Sequence, residues 1–301
     1  MNRMVSKGMK RVIKILRQNR EVAIKKRIND SRAALDQLSG LAPLPKDAKL
    51  ENIEVSGIPA AWLSTPEVVK DKAILYLHGG GYILGSITSH KDLAQRISRV
   101  SKAKVLILDY RLAPEHPFPA ALEDSTEAYR WLVDTEGFLP QNIIIAGDSA
   151  GGGLTVATLV KLRDEGVALP AAAVCLSPWT DLASTGDSIK EKVHEDPFIT
   201  PDVIMFDATM YLGKTDPKNP YASPLYANLK GLPPLCIQVG TAEILLDDAT
   251  RLATRAKEAG VEVQLDIWED MVHVFQTFAV LAPESLEGIE KIGEFIKKFF
   301  K

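Results

Sequence analysis

A serine at the centre of a glycine-rich pattern is the residue in this chain best suited to nucleophilic chemistry. Residues 147–151 read Gly-Asp-Ser-Ala-Gly, after a β-branched run at 143–145 and before a segment of helical composition at 154–165. This order predicts a strand, a sharp turn and a helix, with the Ser149 hydroxyl exposed at the turn and facing the helix N-terminus. Glycines two residues before and after the serine leave room for the strained backbone of such a turn. We interpret Ser149 as a nucleophile; the alternative is a glycine-rich turn that happens to contain a serine.

A base is needed beside this serine, because a hydroxyl is a poor nucleophile until its proton is removed. The chain contains five histidines, at positions 78, 90, 116, 194 and 273. In strand–turn–helix hydrolases the chain order is serine, acid, histidine, so only His194 and His273 qualify. His273 follows the last predicted strand, at the sheet edge where Ser149 is expected, whereas His194 falls in a predicted lid. We predict that His273 is the base; the alternatives are that it merely faces solvent, or that His116 is the base.

An acidic residue that orients the base is expected after the strand at 235–239, where residues 240–248 read Gly-Thr-Ala-Glu-Ile-Leu-Leu-Asp-Asp. Glu243 falls within the turn and has the reach to hold an imidazole in one tautomer. Asp247 and Asp248 open the next predicted helix, where both are expected as N-terminal capping groups. We favour Glu243 as the acid and keep Asp247 as the alternative.

Attack on an ester carbonyl creates an oxyanion, which requires N–H donors already in position. Residues 78–82 read His-Gly-Gly-Gly-Tyr and directly follow a predicted strand, so their backbone can turn its amides inward. We predict an oxyanion hole formed by the amides of Gly80, Gly81 and Ala150, with His78 orienting the loop through a hydrogen bond. The alternative is phosphate binding, but neither a Gly-Lys-Ser/Thr continuation nor Rossmann spacing is present.

Short apolar segments alternate with helical ones from residue 73 onward. Strands are predicted at 53–55, 60–63, 73–77, 105–108, 143–146, 171–176, 235–239 and 261–267, and helices at 91–101, 121–133, 154–165, 248–259 and 286–300. This alternation predicts an α/β fold with a mostly parallel sheet, covered by helices on both faces. Catalytic groups in such sheets gather at the carboxyl ends of the strands.

Two segments fall outside this alternation. Residues 183–225 contain several proline-containing pairs around an apolar stretch at 203–212, and this interval is too long for an ordinary loop. Residues 41–45 read Leu-Ala-Pro-Leu-Pro and mark a boundary after the N-terminal segment. We predict a core of residues 46–182 and 226–301, with residues 1–45 as N-terminal cap helices and 183–225 as an inserted cap segment.

The N-terminal segment is strongly basic. Residues 1–32 contain eleven Lys or Arg against two acidic residues, a charge of +9, so the remainder carries −12. Apolar side chains recur there at roughly helical spacing, at Val12, Leu16, Ala23, Ile24 and Ile28. We expect amphipathic helices whose apolar stripe rests on the main domain; contact with an anionic lipid surface is the alternative. No apolar core of ~7–15 residues follows the charges, so a secretory signal is not predicted.

The composition is that of an ordinary globular protein, with 46% hydrophobic and 25% charged residues and a net charge of −3. This charge gives no case for nucleic-acid binding, and no run of ~18 apolar residues predicts a membrane span. We expect a cytoplasmic protein that needs no cofactor and no metal, since no Cys/His spacing indicates a metal site. Cys175 and Cys236 lie in apolar runs and are expected to be buried and reduced.

These motifs together resemble those of the hormone-sensitive lipase-like group of α/β-hydrolases, the family IV bacterial esterases. The match includes His-Gly-Gly-Gly at 78–81, Gly-Asp-Ser-Ala-Gly at 147–151 and the long segment from Asp109 to Ala121. It continues through Ser-Pro-Trp-Thr-Asp-Leu at 177–182, Tyr-Ala-Ser-Pro at 221–224 and His-Val-Phe at 273–275. The resemblance implies an α/β-hydrolase fold with an eight-stranded sheet and a helical cap, hydrolysis of short acyl esters, and often a homodimer.

One departure concerns the acid. Many members of the group carry an aspartate within Asp-Pro-Leu where this chain has Leu245-Leu246, while some are similar to this chain in using a glutamate at the position of Glu243. The resemblance therefore implies a serine carboxylesterase acting through a Ser149–His273–Glu243 triad on a small-molecule ester. The alternatives are an amidase, peptidase or lipase with the same triad, or a non-catalytic small-molecule receptor on this fold.

Overall fold

The computed structural model describes residues 5–23, 28–40 and 43–300. Within these ranges a single sheet is built in the order β1-β2-β4-β3-β5-β6-β7-β8, and only β2 runs against the other strands. The predicted eight-stranded, mostly parallel sheet is therefore confirmed. The strands are β1 (Lys49–Val55), β2 (Ile58–Ser64), β3 (Val69–Leu77), β4 (Ala103–Leu108), β5 (Ile143–Asp148), β6 (Ala172–Leu176), β7 (Leu235–Gly240) and β8 (Val263–Trp268).

Helices cover both faces of this sheet. One face packs against α3 (Ile87–Ser101) and α9 (Pro283–Phe299). The other face packs against α4 (Ala120–Asp134), α5 (Ala150–Asp164) and α8 (Leu246–Glu258). The remaining described helices belong to the segments predicted as a cap. They are α1 (Lys7–Ala23), α2 (Ile28–Gly40), α6 (Ser188–Glu191) and α7 (Pro201–Leu212).

The helices on both faces of the sheet explain why the central strands are mostly apolar. Successive side chains of a strand point to opposite faces. On β3, Leu75 and Leu77 join the α4/α5/α8 layer, whereas Ile74 and Tyr76 join the α3/α9 layer. The two cysteines follow the same pattern on β6 and β7, where both are buried free thiols.

Two helices begin four residues earlier than the sequence pattern predicts. Helix α3 begins at Ile87 rather than 91, because Ser86 accepts the Ser89 amide at 3.1 Å and caps the first turn. Helix α5 begins at Ala150 rather than 154, although its first turn contains three glycines. Glycine is a poor helix former, so this start is imposed by packing, as the active-site geometry explains below.

Helix α1 rests an apolar stripe on the C-terminal part of the chain, as expected for the amphipathic N-terminus. Met9 and Val12 are buried against a cluster formed by Met271, Val272 and Phe275. Predicted stripe residue Ile24 lies outside the described residues. Among the helices of the described ranges, none has the length and apolar character needed to cross a lipid bilayer.

An arginine of helix α2 binds three groups of the core. The Arg32 guanidinium donates to the carbonyl oxygens of Ile83 at 2.7 Å and Ala113 at 2.9 Å. Two further bonds reach the Glu115 carboxylate, at 2.9 and 2.8 Å, and they lower the pKa of that carboxyl to about 2. Four donors in a planar fork therefore tie the cap segment to two loops of the core.

Replacing Arg32 by lysine should loosen α2 without unfolding the sheet, because a single ammonium group cannot serve two carbonyls and a bidentate carboxylate. Limited proteolysis within residues 28–40 should become about tenfold faster, the effect of losing roughly 1.4 kcal/mol of local stability. Arg99→Lys is the matched control, since Arg99 pairs with Asp47 in solvent with 44% and 49% of the two side chains exposed. Equal cleavage rates in the two variants would contradict the assignment.

Candidate active site

Four strands of the sheet end at one edge and lead into the residues predicted to do chemistry. Strand β3 leads into the glycines that follow His78, and β5 leads into Ser149. Strands β7 and β8 lead into Glu243 and His273. Because these strands are parallel, their carboxyl ends meet at the same rim.

Ser149 has the strained backbone expected of a nucleophile turn. Its φ of 52° and ψ of −121° lie in a region that residues with a side chain rarely adopt. The conformation is held by neighbours: the Ser149 amide donates to the Leu176 oxygen at 2.8 Å, and its carbonyl accepts from the Trp179 amide at 2.9 Å. The side chain remains partly exposed at the rim.

Backbone crowding explains the glycines on either side of the serine. A methyl group on Gly147 would collide with the Gly151 carbonyl, and one on Gly151 with the carbonyls of Leu77 and His78. The start of α5 therefore packs directly against the end of β3. No residue larger than glycine fits there, whatever its helix propensity.

His273 and Glu243 are in contact. The His273 Nδ1 atom lies 2.8 Å from Oε2 of Glu243, and both side chains are buried. The other carboxylate oxygen, Oε1, accepts from the Ser177 hydroxyl at 2.8 Å and from the Gly240 amide at 2.7 Å. Ser177 also accepts the Val274 amide at 3.1 Å, so its hydroxyl connects the acid to the residue after the histidine.

Ser177 was missed as a functional residue by sequence reasoning. It lies just after β6 within the motif at 177–182, and its own φ of 43° is unusual for a serine. The motif carried no indication that the hydroxyl would face the acid, because the loops after β6, β7 and β8 meet only in the folded chain.

The two aspartates near Glu243 lie in the first turn of α8, as predicted, but neither side chain caps the helix, so the capping prediction was wrong. The Asp247 carboxylate accepts the Ser188 amide at 2.9 Å. The Asp248 carboxylate accepts the amides of Thr180 at 2.7 Å and Asp181 at 2.8 Å. Both follow the N-cap position, Leu245, so they turn toward a neighbouring loop instead of back to the helix start. Burial raises the pKa of Asp248 to about 7.

The pKa of His273 is raised above its ordinary value of 6.5. Burial alone would lower this pKa, but the hydrogen bond and charge of Glu243 outweigh it, with help from the charges of Asp196 and Asp148. The imidazole is therefore a stronger base than a free histidine. The two other histidines considered as the base, His194 and His116, are exposed to solvent.

The glycine loop after β3 presents free amides. Gly80 and Gly81 have φ values of 115° and 64°, which favour glycine. Within the described residues, neither of these amides nor that of Ala150 at the start of α5 donates a hydrogen bond to the protein. Three donors at the strand-end rim are therefore available to an anion.

A buried network supports this loop from behind. His78 stacks on Tyr110 at 4.3 Å, and its Nδ1 lies 2.8 Å from the Gly79 oxygen, which agrees with the predicted orienting bond. Burial lowers the pKa of His78 to about 3, so the ring is neutral and donates through Nδ1. The Asp148 carboxylate accepts the Gly79 amide at 3.1 Å and faces His90 Nε2 at 3.4 Å. Asp148 and His90 were not predicted to have this role.

The inserted segment contributes acidic groups beside the site. Asp196 is buried and accepts the Ile244 amide at 2.9 Å, next to Glu243. Asp207 on α7 is 8% exposed and makes no hydrogen bond or ion pair with any described residue. Its carboxylate packs against Gly81, where a methyl group would collide with it. Burial raises the pKa of Asp207 to about 8.

Comparison with known proteins finds related sequences that span most of the chain. Residues 74–277 match the model of a family described as having the alpha/beta hydrolase fold. An acetyl-hydrolase of Streptomyces hygroscopicus is 46% identical over 246 residues, covering 81% of this chain and 81% of its own. The described residues hold no group of three or more His, Cys, Asp or Glu arranged to bind a metal.

Two solved structures are similar over nearly the whole chain. An esterase from the bacterial hormone-sensitive lipase family superimposes with a TM-score of 0.95 at 48% identity and covers 100% of both chains. EstE5, in crystals soaked with p-nitrophenyl butyrate, superimposes with a TM-score of 0.92 at 45% identity and covers 98% of this chain and 99% of its own. The chain belongs to the hormone-sensitive lipase-like group of the α/β-hydrolase family and is a carboxylic ester hydrolase.

Proposed function

We propose that this chain is a serine carboxylesterase that hydrolyses short-chain acyl esters through an acyl-enzyme, with Ser149 as nucleophile, His273 as base and Glu243 as the orienting acid. The observation that carries the proposal is the 2.8 Å contact between buried Glu243 and His273 at the rim where the strained Ser149 turn also lies. Residues 1–45 and 183–225 act as the cap over this site.

In the acylation step His273 Nε2 takes the Ser149 proton while Oγ attacks the ester carbonyl carbon. The C=O π electrons move to the oxygen, and the tetrahedral oxyanion is held by the amides of Gly80, Gly81 and Ala150. The oxyanion then collapses, the C–O bond to the alcohol breaks, and the alcohol leaves with the proton from His273. Glu243 stabilises the imidazolium and keeps its Nδ1–H directed away from the serine.

In the deacylation step water gives its proton to His273 and attacks the acyl carbon. The same amides hold the second oxyanion, and Ser149 leaves with the returned proton. Asp207 lies against Gly81 of the oxyanion loop, and near neutral pH its raised pKa of about 8 keeps it mostly protonated. A negative charge at that place would oppose the developing oxyanion, so the neutral form suits the reaction.

The preference for short acyl groups is supported by similarity. The relative from Streptomyces hygroscopicus is named an acetyl-hydrolase, and EstE5 crystals were soaked with a butyrate ester. The chain is of similar length to both proteins, with at least 81% of each covered.

Ser149→Ala should reduce ester hydrolysis by about 10⁶-fold, because the nucleophilic oxygen is lost while the fold remains. A fluorophosphonate probe should label the wild-type protein on Ser149 and leave the variant unlabelled, as read by peptide mass spectrometry. Release of p-nitrophenol from esters of increasing acyl length should peak at the short chains. Full activity in the variant would overturn the mechanism, and a maximum at long chains would indicate a lipase instead.

Glu243→Gln should lower the pKa of His273, because burial then acts with less opposition from the neighbouring charge. In the wild-type protein kcat/KM should fall on the acid side of its pH profile with a midpoint above pH 6.5, since only the neutral imidazole accepts the serine proton. In the variant this midpoint should move down, and kcat should fall by about 10⁴-fold.

Asp247→Asn is the matched control for Glu243→Gln. Asp247 binds the Ser188 amide and does not touch His273, so neither kcat nor the acid midpoint should change. The NMR titration of the His273 ring gives the same comparison without catalysis. If the pKa of His273 shifted in the Asp247 variant and not in the Glu243 variant, the assignment of the acid would be reversed.

Asp207→Asn should stabilise the protein increasingly as the pH rises. The folded-state pKa of about 8 lies above the ordinary value of 3.8, so folding favours the protonated form and the wild type loses stability as pH rises between these values. Asparagine has no charge to bury. The stability advantage of the variant should therefore grow by at most about 1.4 kcal/mol per pH unit across this range and stay constant above it.

Thermal unfolding at about pH 5 and pH 8 measures this difference. Asp202→Asn on the same helix is the control, since Asp202 is exposed and its substitution should give no such trend. An Asp207 variant whose advantage is the same at both pH values would contradict the buried, unpaired carboxyl.

A further inference from the structure

The outer face of α1 carries only cationic charges between residues 7 and 17. These side chains follow the helical repeat at successive spacings of three, one, three and three residues, so they share the face opposite buried Met9 and Val12. All five are exposed to solvent, and they are Lys7, Lys10, Arg11, Lys14 and Arg17.

The sequence around these cations is poor in acids. The stretch from Lys7 to Arg20 contains none, and Glu21 is the one acid in the sequence of α1. Within the described residues none of the five forms an ion pair with a carboxylate. Glu284 of α9 lies at the start of α1, but its two carboxylate oxygens accept the amide and hydroxyl of Ser6, both at 2.8 Å. Glu269 and Asp270, which directly precede the segment that α1 packs on, are exposed acids.

Exposed apolar side chains border the cationic face on one side. Gly8 packs on the carbonyl of Leu281, so the loop carrying Val280 and Leu281 lies along that side of α1. Ile15 follows Gly8 by seven residues, close to two helical turns, and therefore lies on the same side. Exposure is 40% for Ile15, 66% for Val280 and 41% for Leu281.

The cations lie away from the packed face of the helix. Helix α1 packs on the main domain through Met9 and Val12 on its opposite face. A row of cations beside exposed aliphatic groups matches a bilayer interface, which presents phosphate groups above acyl chains. Nucleic acid would use the cations but has no counterpart for the aliphatic border.

We propose that the outer face of α1, with its border of Ile15, Val280 and Leu281, is a docking surface for anionic lipid bilayers. Helix α1 packs on Met271, Val272 and Phe275, the segment that carries His273, so docking holds the active-site side of the protein against the lipid surface. Each cation near an anionic surface contributes about fivefold to the affinity, and salt weakens this attraction.

Sedimentation of the full-length protein with lipid vesicles tests the proposal. The wild type should bind vesicles of phosphatidylcholine mixed with phosphatidylglycerol, should not bind phosphatidylcholine alone, and should be released by salt. Reversing Lys10, Lys14 and Arg17 to glutamate should weaken binding by at least about a hundredfold.

The control variant reverses the exposed lysines Lys49, Lys70 and Lys257 to glutamate and has the same net charge, so it should retain more of the binding. Circular dichroism and hydrolysis of a water-soluble ester establish that both variants are folded. Equal loss of binding in the two variants would show that binding depends on net charge alone, and this result would overturn the proposal. Absence of binding by the wild type would also overturn it.

The double variant Val280→Ser, Leu281→Ser distinguishes lipid from other polyanions. It should weaken vesicle binding about tenfold, because two aliphatic groups no longer enter the interface. Binding to a DNA duplex should be weaker than to the vesicles in the wild type and unchanged in this variant. Tighter binding to DNA, with no effect of the double variant on vesicles, would contradict a lipid surface and favour nucleic acid.

Discussion

A carboxylate removed from water must find donors for both oxygens, and this constraint organises the site around Glu243. Its donors come from three places: the Ser177 hydroxyl after β6, the Gly240 amide at the end of β7 and the His273 ring after β8. The acid therefore fixes three neighbouring strand ends relative to one another. A shift in any of them would leave a buried charge without a partner, which costs several kcal/mol.

Asp148 repeats this arrangement on the other side of the nucleophile. Its carboxylate accepts the Tyr76 hydroxyl at 2.7 Å and the Gly79 amide, and it faces His90 on α3. Burial would raise the pKa of Asp148, but His90, the Tyr76 hydroxyl and His78 outweigh it and lower the pKa. One buried anion thus positions the histidine and the other positions the glycine loop, with the strained turn between them.

The strands and the nucleophile turn could be predicted because apolar periodicity and the glycines of residues 147–151 are local features. The start of α5 could not, since its glycines argue against a helix and only the close approach of the chain at the ends of β3 and β6 requires them. Asp247 and Asp248 were expected to cap a helix, but neighbouring amides of Ser188 and Thr180 take them. Ser177, Asp148 and Asp207 gain their surroundings only from contacts between distant segments, which no sequence window contains.

The packing of α1 also has a consequence for how the protein is made. Ser6 binds Glu284 across 278 residues, and Met9 and Val12 rest on residues that follow the last strand. On the ribosome the first helix emerges long before its docking site has been synthesised. Its apolar stripe therefore remains without its packing partners until residues 271–284 have been synthesised.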